Sequence, residues 1–386
     1  MTLPTTMRAA YVTGPGPAES IRYGELPVPV PGPTDYLVRV AAVAANPVDT
    51  FVRSGAYQTP MPSPFVTGRD LVGEVVAAGP GATAYSPGRK VWTNSLGHAG
   101  RQGSFCEYAV VPADRLYPLP PDLDPTDLVA AAHPAASAWL ALFRHGRLRY
   151  GDTVYVGGGA GNVGSAGVAL AAAAGARVVA TARADDLDFV ASLGATEVID
   201  YASSDAVRRV GRSAPDGYDL YLDTSGTADP AVSIDQLAHG GRLVVMVGLH
   251  ATPAVPIGRL YTRDASIVGF AISNASVADL ADAARGVTHL LHTTSWRPRV
   301  AEILDLSETA RAHRQLEERR LKGRLVLQPR ADLPARCTGP LVTACRSRTH
   351  PVIPKGQLVP RRRSLRLDTL ATGALRRARP SAKGTE

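Results

Sequence analysis

Cysteine is scarce in this chain of 386 residues, which contains three. Cys337 and Cys345 lie in a basic segment near the end of the chain, which leaves Cys106 alone in the rest. A single thiol cannot form a disulfide framework or a cysteine-based zinc site. The sequence therefore predicts a fold without disulfides, and we expect it in a reducing cytoplasm.

Long apolar runs are also missing. None approaches the ~18 residues that a membrane span needs, and the first residues, MTLPTTMRAAYV, lack the apolar core of a secretory signal. We therefore expect no membrane partner. With 45% hydrophobic and 20% charged residues, the composition is typical of a globular chain long enough for two domains.

The basic residues are in excess in only one segment. The formal net charge is +8, yet residues 331–386 alone carry ten Arg and two Lys against three acidic side chains. The rest of the chain has a net charge of −1, so it offers no general basic surface for nucleic acid. The tail is rich in Pro and Arg and is predicted to be disordered. A role in binding RNA or a membrane surface is expected only there, and a solvated appendage is the simpler interpretation.

The chain changes its pattern near Leu128. Residues 7–128 contain short β-rich runs between Pro and Gly turns, such as YLVRVAAVAA and LVGEVVAAG, without a long helical period. Residues 129–270 alternate strands and helices, which predicts an α/β Rossmann domain with a parallel, doubly wound sheet. Residues 271–330 predict two helices and a closing strand, RLVLQP, which is expected to complete the β unit.

The stretch GAGNVG at residues 159–164 matches the G-x-G-x-x-G pattern of dinucleotide-binding loops. The pattern alone is weak, but a predicted strand, DTVYV, precedes it and a small-residue helix follows. Glycines here let backbone N–H groups approach a pyrophosphate, which then lies at the positive end of the helix dipole. We therefore predict cofactor contacts at Ala160, Gly161, Asn162, Val163 and Gly164.

A carboxylate is missing where an NAD site would have one. Such a site usually places Asp or Glu at the end of the second strand, to bind the ribose 2′-hydroxyl. Here that strand ends VVATAR, so Arg183 stands near this place and favours the 2′-phosphate of NADPH. Asp185 and Asp186 follow closely, and they offer the alternative that an acid engages Arg183 or caps the next helix.

Five segments together resemble one family. They are AANPVDTFVRSGAY (44–57), TGRDLVGEVVAAG (67–79), GSFCEYAVVPADRLYPLP (103–120), the glycine loop and AHRQLEERRLKGRLVLQP (312–329). In order from Met7 to Pro329, they resemble the zinc-free quinone oxidoreductases, the zeta-crystallin-like branch of the medium-chain dehydrogenase/reductase superfamily. The resemblance implies a mostly-β GroES-like catalytic domain, built from residues 7–128 and 271–330, around the Rossmann domain. It also implies NADPH between the domains and a homodimer.

Zinc ligands are absent where the zinc-dependent relatives of this family have them. Those relatives have Cys at the place of Asn46 and read G-H-E where this chain reads G-R-D at residues 68–70. Without Cys or His there, we predict no catalytic zinc. His98, His133 and His145 are isolated, and isolated histidines are more often surface or core residues than ligands. Without a metal to polarise a carbonyl, the chemistry suits an electron-poor acceptor such as a quinone or a conjugated alkene.

The resemblance also implies individual site residues. Near the nicotinamide it implies Asn46 and Tyr57 as hydrogen-bond donors to the acceptor, together with Phe51, where many relatives carry tyrosine. Some relatives use a lysine at the place of Leu187 for the 2′-phosphate, so Arg183 is expected to substitute for it. Further implied cofactor contacts are Tyr201, then Val247, Gly248, Leu249 and His250, then Phe270, Ala271 and Ile272, and finally Arg319.

Three functions remain open at this point. The first is an NADPH-dependent quinone oxidoreductase. The second is an NADPH-dependent reductase of activated carbon–carbon double bonds in an alkenal, an enone or an enoyl thioester. A thioester calls for basic residues at the mouth of the cleft, for which Arg53, Arg69 and Arg101 are candidates. The third is an NADPH-binding structural or RNA-binding protein, which only the basic tail supports.

Overall fold

The first third of the chain is mostly β. The computed structural model describes residues 3–226, 228–319 and 321–330, and the predicted tail of residues 331–386 lies outside these described residues. In this first part the elements are β1 (Thr6–Val12), β2 (Arg22–Pro27), β3 (Asp35–Ala45), α1 (Pro47–Ser54), β4 (Phe65–Val66), β5 (Asp70–Ala78), β6 (Lys90–Thr93), β7 (Tyr108–Pro112) and β8 (Tyr117–Pro118).

Strands and helices alternate in the middle of the chain, and the described part ends with two more of each. The middle elements are α2 (Pro125–Trp139), β9 (Thr153–Gly157), α3 (Asn162–Ala173), β10 (Arg177–Ala182), α4 (Leu187–Ser192), β11 (Glu197–Asp200), α5 (Ala206–Ser213), β12 (Tyr218–Asp223), α6 (Pro230–Asp235), β13 (Leu237–Val245), α7 (Ile257–Tyr261) and β14 (Ser266–Gly269). The last elements are α8 (Val277–Thr293), β15 (Val300–Asp305), α9 (Thr309–Glu317) and β16 (Arg324–Gln328).

One sheet joins both ends of the described chain. Its order is β15-β16-β3-β5-β6-β8, and β7 also pairs with β3. β3 is the long central strand, and its buried side chains Val38 and Val40 flank the exposed Arg39. β16 pairs with β3 in antiparallel register, with Leu325 opposite Ala45. The closing strand therefore completes a sheet that begins in the first part of the chain. A smaller sheet has the order β2-β1-β4.

A short helix interrupts the β-rich part, where the sequence predicted only strands and turns. α1 begins directly after Asn46, with Pro47 in its first turn, and ends at Ser54, just before Gly55, which has a φ of 81°. Proline suits the first helical position because it needs no N–H there, and glycine adopts the left-handed conformation at little cost. Eight residues are too few to give a clear helical period, which is why the pattern missed α1.

The second large sheet is parallel throughout and has the order β11-β10-β9-β12-β13-β14. Counted from its first strand in the chain, this is the 3-2-1-4-5-6 order of the Rossmann fold. The order reverses between β9 and β12, and ligands bind outside the carboxyl ends of the strands at such a point. The predicted fold class, a Rossmann domain with a mostly-β GroES-like part, is confirmed.

Helix α2 lies in the middle of the hydrophobic core. Asp124 precedes the helix, and its carboxylate accepts from the backbone N–H groups of Thr126 and Asp127 at 2.8 and 3.1 Å. The buried alanines of α2 pack in one cluster with Rossmann residues such as Val156 and with Val72 and Trp92 of the β-rich sheet. Because small side chains allow close approach, α2 brings the two sheets together around the site.

The last helix is shorter than the sequence predicted. The second of the two helices predicted in residues 271–330 covers the segment SETARAHRQLEERRLKG (307–323). In the structure α9 ends at Glu317, and Arg319 adopts a positive φ of 53°. A positive φ in a residue other than glycine ends a right-handed helix.

Candidate active site

The glycine loop forms the turn between β9 and α3. Gly158 has a φ of 73°, and the N–H of Gly159 donates to the carbonyl oxygen of Thr181 at 2.7 Å, so the loop is tied to β10. A Cβ on Gly164 would lie 2.1 Å from the carbonyl oxygen of Gly158. Only glycine fits there. The predicted residues 160–164 thus surround the start of α3, where free N–H groups and the helix dipole attract a pyrophosphate.

Polar groups face this loop from the neighbouring strand. At the end of β12, Thr224 Oγ1 donates to the carbonyl oxygen of Gly157 at 2.6 Å. The Asp223 carboxylate accepts from the backbone N–H groups of Ser225 and Gly226 at 2.9 and 3.1 Å. Both strands at the point where the sheet order reverses therefore end in fixed turns.

A small cavity beside the loop is lined by basic side chains from the end of the described chain. Ala160 and Asn162 of the loop lie on one side, and Arg299 and Arg324 lie on the other. Arg299 Nη1 also pairs with Asp186 Oδ1 at 2.8 Å. Two guanidinium groups thus lie near the N-terminus of α3, with Arg299 paired to Asp186 and Arg324 bonded to Asn46.

Arg183 and Tyr201 follow two paired strand ends. Ala182 of β10 pairs with Asp200 of β11, and the next residue on each strand is one of these two. Both side chains are exposed, and among the described residues Arg183 makes no ion pair. Asp186, which the sequence offered as a partner for Arg183, pairs instead with Arg299 and lies 3.6 Å from Lys322 Nζ.

The other predicted cofactor residues follow β13 and β14 at the same edge of the sheet. Residues 247–250 come after β13, and Val247 and Leu249 are exposed. Residues 270–272 come after β14; the ring of Phe270 stacks on His145, with 4.5 Å between centroids, and Ile272 is buried. Arg319 is different, because it lies exposed after α9 and no described side chain pairs with it.

Asn46 lies between β3 and α1 and is completely buried. Its Nδ2 donates to the carbonyl oxygen of Ala44 at 3.2 Å and to Asp70 Oδ2 at 2.8 Å. Its Oδ1 accepts from Arg324 Nη2 at 2.6 Å. Both amide hydrogens and the carbonyl oxygen are engaged, so a hydrogen bond from Asn46 to an acceptor requires that one of these bonds is given up.

Asp70 is the centre of this polar cluster. Its Oδ2 lies 3.9 Å from Arg324 Nη2, and its Oδ1 lies 3.8 Å from His133 Nδ1. Burial raises the pKa of Asp70 to about 8 and that of the nearby Asp49 to about 6, although Arg324 and Arg69 oppose the shifts. Burial lowers the pKa of His133 well below its ordinary value. At pH 7 Asp70 is therefore largely protonated, whereas Asp49 is largely ionised.

Tyr57 lies on the more accessible side of the cluster. Its hydroxyl donates to Asn274 Oδ1 at 3.4 Å, and its ring lies 5.9 Å from that of His98. Burial and the nearby Arg69 and Arg101 lower the pKa of His98 to about 4, so this imidazole is neutral at pH 7. Phe51 lies half-buried in α1, and its carbonyl oxygen accepts from the N–H of Tyr57 at 3.0 Å. The structure thus brings Phe51 and Tyr57 together.

Two predicted basic residues are not at the mouth of the cleft. Arg53 is 1% exposed and pairs with Glu317, and Arg69 is 2% exposed. Only Arg101 of the three is partly accessible. The prediction that they form a basic cleft mouth for a thioester is therefore wrong for Arg53 and Arg69.

The sequence did not single out Asp70, Arg299 or Arg324 as site residues. A signal exists in the case of Arg324, because it is a charged residue in the otherwise apolar strand RLVLQ. Asp70 likewise opens an apolar strand, DLVGEVVAA. A charged residue within an otherwise apolar strand indicates a buried polar cluster in which the charge has a partner.

The donor set does not fit a zinc ion. An amide and a guanidinium stand at positions 46 and 69, and a guanidinium has no lone pair to offer. Within the described ranges, no group of three His, Cys, Asp or Glu side chains is placed to hold a metal ion. A nicotinamide dinucleotide does fit, because the glycine loop has a cradle that a single Cβ would fill.

The fold and this cradle define a nicotinamide-dependent oxidoreductase with a GroES-like and a Rossmann part. Two family models match: "Alcohol dehydrogenase GroES-like domain" over residues 32–121, and "Zinc-binding dehydrogenase" over residues 162–287. The chain belongs to the medium-chain dehydrogenase/reductase superfamily and is an oxidoreductase of the quinone oxidoreductase type.

Individual relatives support this assignment. The chain is 29% identical over 316 residues to the quinone oxidoreductase of Mus musculus, covering 80% of this chain and 94% of that protein. It is 32% identical over 289 residues to prostaglandin reductase-3 of Mus musculus, covering 70% of this chain and 74% of that protein.

Solved structures are similar as well. The crystal structure of an NAD-dependent alcohol dehydrogenase has a TM-score of 0.75 at 32% identity, covering 83% of this chain and 99% of that one. A mycobacterial protein solved in complex with NADPH has a TM-score of 0.72 at 27% identity, covering 84% and 100%. These relatives establish a nicotinamide cofactor for the fold. Among the described residues, no helix is long and apolar enough to cross a membrane.

Proposed function

We propose that this protein is an NADPH-dependent quinone oxidoreductase that works without zinc. The observation that carries the proposal is the exposed guanidinium of Arg183, which has no ion pair among the described residues and stands beside Tyr201 at the end of β10. An unpaired cation at this place suits a 2′-phosphate, and an NAD site would have a carboxylate there. The quinone oxidoreductases among the relatives support the acceptor.

The chain's residues divide the work between two sites. The start of α3 binds the pyrophosphate through its free backbone N–H groups, with the positive charge of Arg299 nearby. Arg183 binds the 2′-phosphate, and Tyr201 packs against the adenosine. When bound, the cofactor supplies a hydride. Tyr57 and Asn46 orient the acceptor, and Asn46 does so by exchanging one of its present hydrogen bonds.

A second candidate acceptor is an alkene conjugated to a carbonyl. It is favoured by the 32% identity to a relative named for the reduction of a prostaglandin rather than a quinone. Both acceptors are electron-poor and take up a hydride without a metal, so the same donors serve both. An enoyl thioester is less favoured, since the buried Arg53 and Arg69 do not line the cleft mouth.

A cofactor-oxidation screen tests the proposal. The full chain is mixed with NADPH or NADH and with a series of quinones, enones and crotonyl thioesters, and the loss of absorbance of the reduced cofactor is recorded. We expect NADPH oxidation with at least one quinone and a higher kcat/KM with NADPH than with NADH. Turnover with enones alone would assign the second function, and no turnover with any acceptor would contradict both.

We also propose a homodimer in a reducing cytoplasm. The dimer is supported by β14, which lies at the edge of its sheet and has no second partner among the described strands. Such edges are ready to pair with another chain. The compartment is supported by Cys106, which is a free, buried thiol. Light scattering after size-exclusion chromatography is expected to give twice the mass of the chain; a monomer at micromolar concentration would contradict the dimer.

A further inference from the structure

Arg69 is a buried cation that forms no ion pair with another described residue. Its side chain is 2% exposed, and its Nε and Nη2 atoms have no hydrogen-bond partner. Among the described side chains, no carboxylate lies within 4.0 Å of its guanidinium. Burying a charge without a partner costs several kcal/mol, so a buried arginine in this state requires a ligand or water. The position therefore needs a reason beyond packing.

The groups around Arg69 do not neutralise it. Asp49, Asp70 and Tyr57 are the groups that favour its charge, while burial lowers its pKa. Burial raises the pKa of Asp70 to about 8, so this group is largely protonated at pH 7, whereas Asp49, with a pKa of about 6, keeps its negative charge there. On the other sides lie His98 and His133, whose pKa values are lowered, and Arg101, which repels Arg69. Asp49 and Arg101 thus act on Arg69 with opposite sign, and no ion pair between described residues neutralises its guanidinium.

Unsatisfied polar atoms lie on the segments next to Arg69. The N–H of Leu96 donates to the carbonyl oxygen of Arg69 at 3.1 Å, which fixes the segment of residues 93–98 beside it. Buried atoms without a hydrogen-bond partner on these segments are Asp70 Oδ1, Thr93 Oγ1, Asn94 Oδ1, Ser95 Oγ and His98 Nδ1. A further one, His133 Nδ1 of α2, lies 3.8 Å from Asp70 Oδ1. Buried polar groups in native proteins find partners in water or ligands. This region is therefore built to receive polar atoms from outside the chain.

We propose that the guanidinium of Arg69 stabilises the negative charge that develops on the acceptor oxygen during reduction. This inference rests on the proposed function. The reduced nicotinamide gives up a hydride and is oxidised, the conjugated system of the acceptor takes the electron pair, and its carbonyl oxygen becomes a phenolate or enolate oxygen. One proton from water completes the product. Arg69 thus provides a fixed positive charge near the position where zinc-dependent relatives bind their metal.

The neighbours of Arg69 suit this role. Tyr57 is close enough to interact electrostatically with Arg69 and is the more accessible of the two. An acceptor oxygen beside the Tyr57 hydroxyl lies in the field of the guanidinium, where the low dielectric of a buried site strengthens the interaction. The fixed charge needs no reorganisation at the moment of reaction, so it lowers the barrier rather than the KM.

The test compares Arg69→Met and Arg69→Ala with the wild type and with Arg39→Met. Arg39 lies exposed on β3 of the same sheet and pairs with Glu74, so it is a control for the loss of one charge. We expect Arg69→Met to lose about 10²–10³-fold in kcat with a quinone, as for loss of one donor to an oxyanion. We expect its affinity for NADPH, measured by fluorescence titration, to stay unchanged. Guanidinium ions are expected to restore part of the activity of Arg69→Ala, whereas sodium chloride at the same concentration is not.

The outcomes separate this inference from the proposed function. Absence of NADPH oxidation by the wild type with every acceptor overturns both. A folded Arg69→Met variant with the kcat of the wild type overturns the inference alone, as does a variant that loses only NADPH affinity. Should the Met and Ala variants not fold, Arg69→Lys decides. It keeps the charge and is expected to retain kcat within about tenfold of the wild type, and a loss of about a hundredfold or more overturns the inference.

Discussion

Arg183 is the side chain on which the proposed preference for NADPH depends. It is exposed and unpaired among the described residues, so its loss disturbs no other contact. A charge-assisted hydrogen bond contributes about 1.5–3 kcal/mol. Arg183→Ala is therefore expected to raise the KM for NADPH by about 10–100-fold and to leave the KM for NADH unchanged. Arg177→Ala, at the other end of β10, is the control. Equal effects on both cofactors would exclude a contact to the 2′-phosphate.

Asp70 makes the stability of the protein depend on pH. Its pKa is raised to about 8 in the folded state, and it is about 3.9 in an unfolded chain. Between these values the folded state holds a proton that the unfolded state has lost, so the free energy of unfolding falls as the pH rises. The fall is at most about 1.4 kcal/mol per pH unit for one group.

Asp70→Asn is expected to flatten this dependence between pH 6 and 8. The amide oxygen still accepts the hydrogen bond from Asn46 Nδ2, which lies 2.8 Å from Asp70 Oδ2. Asp49, with a pKa of about 6, acts mostly below this range. Urea unfolding at pH 6, 7 and 8 measures the effect, and parallel profiles for the variant and the wild type would show that Asp70 is ionised in both states.

Among the elements, α3 and the turn before it allow the sharpest comparison. A Cβ on Gly164 would lie 2.1 Å from the carbonyl oxygen of Gly158, whereas a Cβ on Gly167 would meet Leu222 Cδ2 at 3.5 Å, an ordinary contact. Gly164→Ala is expected to abolish NADPH binding because the turn must open. Gly167→Ala is expected to keep binding and to gain up to about 1 kcal/mol of helix stability.

Fluorescence titration measures the affinity of both variants for NADPH, and thermal melting measures their stability. Because the two substitutions add the same methyl group to the same helix, a difference between them reports the turn and not the composition. Tight NADPH binding by Gly164→Ala would contradict the proposal that the turn before α3 binds the pyrophosphate.

The Rossmann elements could be predicted because their signals are local. The strand DTVYV, the glycines and the small-residue helix adjoin one another, and each obeys its own period. The polar cluster around Asn46 could not be predicted, because its contacts join residues that are distant in the sequence. Asn46 bonds to Asp70 and to Arg324, and Arg53 pairs with Glu317. No period or spacing connects such positions. The pairing of β3 with β5 brings Asn46 to Asp70, and the pairing of β16 with β3 brings Arg324 to Asn46.

For the whole molecule, the basic tail is expected to be separable from catalysis. Residues 1–330 carry a net charge of −1, and Arg330 pairs with Asp305 at 2.7 Å, so the cut is placed after this residue. The shortened chain is expected to keep the melting temperature and the turnover of the full chain. Any affinity for RNA, and its dependence on salt, is expected to be lost. Loss of turnover after the truncation would show that the tail contributes to catalysis.

The hydrogen bond from Arg324 to Asn46 also has a consequence for synthesis on the ribosome. The Rossmann segment is contiguous and is made before β16. β3 can pair with β16 only after almost 280 further residues have been made. Long-range pairing of this kind is slow because the intervening chain must be ordered first. A nascent chain that stops before Arg324 therefore has its glycine loop but lacks the guanidinium that binds Asn46, so the polar cluster around Asn46 is completed only after β16 has been made.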